Sequence, residues 1–193
     1  MNTGIICEFN PFHSGHKYLI DSVKNDGAVI CVMSGNFVQR GEFAIWDKFK
    51  RCNTALENGA DIVIELPCVY SLMSAEGFAK AGVTLIEKTG IIDEIAFGAE
   101  CDDIGKLKKI ADKIDKSHEL IKEEMKSGIS YPAARKNVIG DYLLDTPNNI
   151  LAIEYLRHTY LPAKAVKRIG KGHDTDDELF SASAIRETLN KDN

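Results

Sequence analysis

The sequence predicts an α/β protein in which a parallel sheet lies between layers of helix. Three observations carry this expectation. Short apolar runs alternate with amphipathic helical patterns along nearly the whole 193-residue chain. The apolar runs lack the in–out alternation of a half-solvated strand, as expected for strands covered on both faces. Strands separated by helices pair in parallel through right-handed crossovers and form a three-layer sandwich.

Each element follows from its residues. GIICEF, Gly4 to Phe9, is a buried strand, and HKYLIDSVKN, His16 to Asn25, is a helix. AVICVM, Ala28 to Met33, is a second buried strand. Asp47 to Asn58 is helical and stops before Gly59, which suits the position after a helix end. DIVIEL, Asp61 to Leu66, is a third strand, stopped by Pro67, and Ser74 to Lys88 is a helix ending at Thr89-Gly90. DEIAFG, Asp93 to Gly98, is the fourth strand. One long helix is expected from Asp103 to Lys126, because Leu107, Ile110, Ala111, Ile114, Leu120, Ile121 and Met125 fall at helical spacing. Two further helices, Tyr131 to Leu144 and Pro147 to His158, carry Pro132 and Pro147 where a first turn tolerates proline. AKAVKRIG, Ala163 to Gly170, is a last strand, and SASAIRETL, Ser181 to Leu189, a short helix with serine caps.

Composition narrows the function classes. The net charge of −5 argues against an autonomous nucleic-acid-binding domain, whose footprint is basic. The five cysteines are odd in number and show no CxxC spacing, which implies a reducing, cytoplasmic setting with neither a disulfide framework nor a zinc site. No basic segment followed by a long apolar run opens the chain, and no apolar stretch approaches the roughly 20 residues of a membrane-spanning helix. No membrane partner is therefore expected.

The informative segment is EFNPFHSGHKYL, Glu8 to Leu19. It leaves a strand, turns through Asn10-Pro11 and enters a helix just after His13-Ser14-Gly15-His16. A helix start offers backbone N–H groups and a positive dipole end to an anion. Gly15 lets a phosphate approach the backbone. His13 and His16, three apart, can face one ligand across the first turn, where phosphate can draw imidazoles toward the protonated form so that they stabilise charge as it develops. Ligands of such sheets bind at the carboxyl ends of the strands.

The His-x-Gly-His pattern resembles the HIGH motif of the nucleotidyltransferase superfamily. The longer string GIICEFNPFHSGHKYL resembles the opening of the tRNA(Met) cytidine acetate ligase family. So does SGNFVQRGEFAIWDKFKRCNTALENGADIVIELP, Ser34 to Pro67. AFGAE from Ala96, PNNILAIEYL from Pro147, VKRIGKGH from Val166 and FSASAIRE from Phe180 then follow in family order. The resemblance implies a three-layer Rossmann-like parallel sheet of the nucleotidyltransferase (HUP) type. It also implies a reaction: ATP and acetate form acetyl-adenylate and pyrophosphate, and the acetyl group passes to N4 of the wobble cytidine of elongator tRNA(Met). Residues 1–193 would be the ATP-binding catalytic domain, with the family's C-terminal half absent, so that tRNA would bind this chain weakly.

The resemblance also implies site residues. ATP would be held by the loop comprising Cys7, Glu8, Phe9, Asn10, Pro11, Phe12, His13, Ser14, Gly15, His16, Lys17, Tyr18 and Leu19, with His13 and His16 at the phosphates. Gly98 would pass close to the nucleotide. Asn148 or Asn149 would hydrogen-bond adenine or ribose, and Arg168 would contact phosphate or adenine. SASAIR resembles a superfamily signature in which Ser183 grips the departing pyrophosphate and Arg186 neutralises it, a task suited to the planar guanidinium. His13, His16, Ser183 and Arg186 form the expected catalytic set. Gln39, Arg40 and Glu42 lie in a polar loop that closes over acetate or cytidine, whereas Lys48, Lys50 and Arg51 read as the solvated face of a helix. Lys164, Lys167, Arg168, Lys171 and His173 form a basic stretch suited to an RNA backbone. No Asp/Glu pair marks a transition-metal site; Mg²⁺ held mainly by ATP phosphates and water is the expected ion. Two other functions fit the same residues: a small-molecule adenylyltransferase of the superfamily, or a non-catalytic nucleotide-binding module.

Overall fold

The computed structural model describes residues 1–24, 27–39 and 41–168, together with 182, 185 and 186. Its five strands are β1 (Thr3–Cys7), β2 (Val29–Ser34), β3 (Ile62–Leu66), β4 (Glu94–Ala99) and β5 (Ala163–Lys167). They form one sheet of order β3-β2-β1-β4-β5 in which every pair is parallel. The order reverses between β1 and β4, which opens a crevice at their carboxyl ends.

One face of the sheet carries α1 (Ser14–Val23) and α2 (Lys48–Glu57) over a cluster that includes Ile5, Ile20, Cys31 and Ala55. The other carries α4 (Ala75–Lys88), α5 (Ile104–Lys116) and α8 (Pro147–His158), packed on Ile6, Val32, Ile95 and Phe97. A short helix, α3 (Cys68–Ser71), follows Pro67.

Local chemistry sets the helix ends. Asp47 accepts the amides of Phe49 and Lys50 at 2.9 and 3.1 Å and so caps α2, a bond worth about 1 kcal/mol. Gly59, at φ 109°, follows the end of α2 as expected. The helix Pro147–His158 has the predicted bounds. β3 is an edge strand with Ile62 exposed.

Two helical expectations are corrected. The segment from Asp103 to Lys126 is not one helix but α5 and α6 (His118–Met125), broken at Ser117, whose amide still bonds to Lys113 and Ile114. The apolar stripe fails at the same place: Ile114 and Ile121 are buried, but Leu120 is 64% exposed. The helix expected from Tyr131 to Leu144 ends at Ile139, because Gly140 adopts φ 64° and terminates α7 (Tyr131–Ile139). A 3₁₀ turn, Tyr142–Asp145, leads on to α8. The expected strand end at Gly170 and most of the helix from Ser181 lie outside the described residues; 182, 185 and 186 are helical.

Candidate active site

The chain between β1 and α1 departs from regular structure immediately. Phe9 takes φ 47°, and the Asn10–Pro11 peptide is cis. The strand ends at Cys7 rather than Phe9, and the helix begins at Ser14 rather than His16. His13 is therefore the N-cap. Its Nδ1 accepts the Gly15 amide at 3.0 Å, and His16 Nδ1 accepts the His13 amide at 3.3 Å, a reciprocal capping box made of two imidazoles. The rings stack with centroids 3.7 Å apart. Phe9 and Phe12 flank the His16 ring at 4.9 and 5.6 Å.

This geometry revises how the helix start handles an anion. Gly15, His16 and Lys17 amides are already engaged by His13, so the first turn is not an open nest of donors. Because each Nδ1 accepts a hydrogen bond from a backbone amide, each neutral ring carries its hydrogen on Nε2. Burial, with Arg168 nearby, lowers His13 to about 4, and burial, His13 and Arg168 hold His16 well below the ordinary histidine value. The pair is therefore neutral near pH 7 and presents two Nε2–H donors.

Gly15 has a different role from the one expected. A Cβ there would lie 2.9 Å from His13 Cε1, so glycine makes room for the capping ring. At Gly98 a Cβ would meet only Arg168 Cγ, at 3.5 Å, so protein packing does not require glycine there and a ligand's close approach would.

A cavity of roughly 380 Å³ opens at the carboxyl ends of β1 and β4. Cys7, Glu8, Phe9, Asn10, His13, Gly15, His16, Tyr18 and Leu19 reach it from the first loop and helix. Gly98, Asn148, Arg168 and Arg186 reach it from elsewhere in the chain. Arg186 donates to the Asn10 carbonyl at 2.7 Å. Pro11, Phe12, Ser14 and Lys17 do not line the cavity; Lys17 pairs with Asp21 on the surface of α1. Ser183, Arg40, Lys171 and His173 lie outside the described residues.

The two asparagines separate. Asn148 accepts from Arg168 at 3.2 Å and donates to Glu100 at 2.6 Å, at the cavity wall. Asn149 is buried, and its Oδ1 accepts the Cys101 amide at 2.9 Å, so its side chain anchors the loop after β4 instead of meeting a nucleotide. Glu100 caps α8 through the Asn149 amide at 2.9 Å. Burial would raise its carboxyl, but the hydrogen bonds from the Asn148 side chain and the Asn149 amide outweigh it and hold the pKa below the usual value.

Arg51 was expected on a solvated face and is fully buried. Its guanidinium donates to the carbonyls of Glu8, Ser34, Gly35 and Trp46, the last at 3.1 Å. It thereby fastens the carboxyl ends of β1 and β2 to the loop between β2 and α2. That loop is a small hairpin: Val38 and Glu42 pair through the backbone at 3.1 Å, and Phe37 bridges Phe43. Glu8 accepts the Gln39 amide at 2.7 Å, and Asn10 accepts the Ile45 amide at 2.8 Å, so the hairpin is pinned against the first loop with Gln39 and Glu42 at the cavity. A buried arginine on a charged helix carries no signal in sequence; only convergent carbonyls reveal it.

The family profile described as HIGH Nucleotidyl Transferase matches residues 1–193. The chain belongs to the HIGH nucleotidyl transferase family. Among relatives, this nucleotidyl transferase is 42% identical to the tRNA(Met) cytidine acetate ligase of Clostridium kluyveri, over 99% of this chain and 54% of that protein. It is 39% identical to the enzyme of the same name from Halothermothrix orenii, over 96% of this chain and 51% of that protein. The crystal structure of Thermotoga maritima TmcAL bound with alpha-thio ATP superposes with a TM-score of 0.88 at 36% identity, covering 99% of this chain and 50% of that one. The chain thus spans about half the length of the relatives it matches.

Proposed function

We propose that this nucleotidyl transferase activates acetate with ATP, forming acetyl-adenylate and pyrophosphate, and that the acetyl group then passes to N4 of the wobble cytidine of elongator tRNA(Met). The observation that carries this is the convergence of two neutral imidazoles, each with an Nε2–H donor, with Arg168 and Arg186 on one cavity at the sheet's switch point. The resemblance to ligases of that activity supports the choice of acid and acceptor.

In the first step a carboxylate oxygen of acetate attacks the α-phosphorus; the new O–P bond forms as the bond to pyrophosphate breaks. His13 and His16 donate from Nε2 to the phosphate oxygens as negative charge shifts onto the leaving group. Arg186, parked on the Asn10 carbonyl, turns its fork to pyrophosphate, with Ser183 assigned to the same group by its motif. Gly98 leaves room for the nucleoside, and Asn148 and Arg168 bound it. In the second step N4 attacks the acyl carbon, the bond to AMP breaks, and a proton leaves the nitrogen.

Mg²⁺ would arrive on the ATP phosphates and neutralise them. The described residues contain no group of three or more His, Cys, Asp or Glu side chains that would hold a metal. No described helix is long and apolar enough to cross a membrane. We assign the chain to the cytoplasm because its proposed acceptor is a tRNA.

The test is acetate-dependent ATP–pyrophosphate exchange. Exchange that requires acetate, with acetyl-adenylate trapped in the absence of RNA, is the expected result. Exchange driven by a phosphorylated small molecule but not by acetate would assign the chain to the vitamin-precursor type of adenylyltransferase. ATP binding without exchange on any acceptor would leave a nucleotide-binding module.

A further inference from the structure

The cavity has two unlike halves. Cys7, Phe9, Leu19 and Val166 belong to or pack against the cluster on the α1 side of the sheet, together with the histidine pair. Ile6, Phe78, Phe97, Leu151 and Tyr155 belong to or pack against the cluster on the α4 and α8 side. The division follows from strand geometry: successive residues of a strand point to opposite faces, so Ile6 and Phe97 look away from the side on which Ile5 and Ala96 meet α1. His13 and His16 lie on the first side, where Phe9 and Phe12 flank the His16 ring, and Arg168 reaches across to Asn148 at the start of α8. The second side is a narrow apolar crevice between the sheet and the two helices.

Tyr155 gives this crevice its polarity. The residue is 4% exposed and lines the cavity. Its ring lies 5.6 Å from that of Phe97. Side chains on a helix lean toward its N-terminus, and α8 begins at the cavity rim, where Asn148 meets Arg168. The hydroxyl is therefore directed up the crevice toward the rim. A phenol that opens on the cavity can donate to a bound oxygen acceptor.

We propose that this crevice is the acyl subsite: it takes the alkyl group of a short, unbranched carboxylic acid, with the carboxylate at the rim facing the α-phosphate, the Tyr155 hydroxyl donating to one carboxylate oxygen, and Leu151 limiting chain length. The assignment rests on the adenylation chemistry proposed above and adds the place and the size limit of the acid. A hydrophobic pocket closed by packed side chains discriminates by about tenfold or more per methylene. The aromatic and aliphatic walls have no cation, so an acid cannot enter carboxylate-first, and the single hydroxyl suits one oxygen at the upper end.

Exchange measured with acetate, propionate and butyrate tests this on the chain itself. Wild type should decline by about tenfold with each added methylene. Leu151→Ala, at a half-buried position, should narrow the acetate-to-butyrate gap by about tenfold or more, with affinity for a non-hydrolysable ATP analogue within about twofold. Tyr155→Phe should raise the KM for acetate while leaving the analogue's affinity within the same range. A Leu151→Ala acid profile parallel to wild type, with weakened analogue binding, would overturn the proposal and make the crevice the seat of the adenine ring. Loss of exchange with every acid in wild type would instead strike the adenylation chemistry. The crevice is then judged by saturation transfer from protein to the butyrate methyl in the presence of the analogue: abolished in Leu151→Trp relative to Leu151→Ala, it supports an acyl-binding crevice, and unchanged, it overturns one.

Discussion

The Gly15 amide donates to Nδ1 of His13, and the space a Gly15 side chain would need is filled by the His13 ring, 2.9 Å from an ideal Cβ. Glycine at this position thus serves the histidine two residues before it. Gly15→Ala should leave stability unchanged or slightly raised, since alanine is favoured over glycine in a helix by about 1 kcal/mol. The same change should displace the His13 ring and lower pyrophosphate exchange. Thermal melts and exchange rates on one preparation separate the two effects; a variant with wild-type exchange would show that His13 need not hold this pose.

His16→Ala should lower kcat for adenylation by on the order of 10²–10³ while changing the KM for ATP far less, as expected when a donor acts on developing charge. Steady-state exchange kinetics at saturating acetate measure it. An effect confined to KM would make His16 a ground-state binding group.

Both histidines lie below the ordinary value in the free protein, His13 at about 4. An unfolded chain, with histidine near 6.5, binds more protons than the folded one between these values, so stability is greatest above pH 6.5 and falls as pH drops toward 4. His13→Gln should flatten that acid-side loss in a series of melts. Phosphate beside the rings raises their pKa, so ATP binding near pH 5 should take up protons. Calorimetry in buffers of different ionisation enthalpy reads this directly; binding without proton uptake would place the phosphates away from the rings.

Arg51→Lys should destabilise the fold by about 2 kcal/mol or more, although charge is kept, because one ammonium cannot serve carbonyls of Glu8, Ser34, Gly35 and Trp46 together. Denaturant melts measure the loss. The hairpin carrying Gln39 and Glu42 should loosen with it, detected as faster amide exchange at residues 36–45.

The basic stretch near the last strand is not one patch. Lys164 is the second residue of β5, toward the end of the strand remote from the cavity, and donates to the Ser22 carbonyl at 2.7 Å, whereas Lys167 lines the cavity. If RNA approaches the cavity mouth, Lys167→Ala should weaken RNA binding and reduce the slope of log K against log salt by about one, and Lys164→Ala should do neither. Titration of a labelled anticodon stem-loop at several salt concentrations measures both; equal effects would move the RNA path onto the sheet's far edge.

What sequence alone determined about this protein is what local rules control. The central strands β1, β2 and β4, buried on both faces, write themselves as nearly unbroken apolar runs, the edge strands β3 and β5 as shorter stretches with polar residues interspersed, and Asp47, Gly59 and Pro147 announced helix ends through capping and backbone preference. The segment around His13 and His16 was legible because a strand, a turn and a helix start lie within a dozen residues. Tertiary structure decided everything that depends on what arrives from far along the chain. Helical spacing continues through Leu120, and only the absence of a packing surface there reveals the break at Ser117. Asn148 and Asn149 are adjacent and chemically identical, and the helix rotation that turns one to the cavity and the other to Cys101 is set by packing. Arg51 looks solvated until carbonyls from both β1 and β2 surround it, and Tyr155 looks like an ordinary core aromatic until α8 lies against β4. In each case burial and hydrogen-bond partners are properties of the assembled layers, and periodicity along the chain does not encode them.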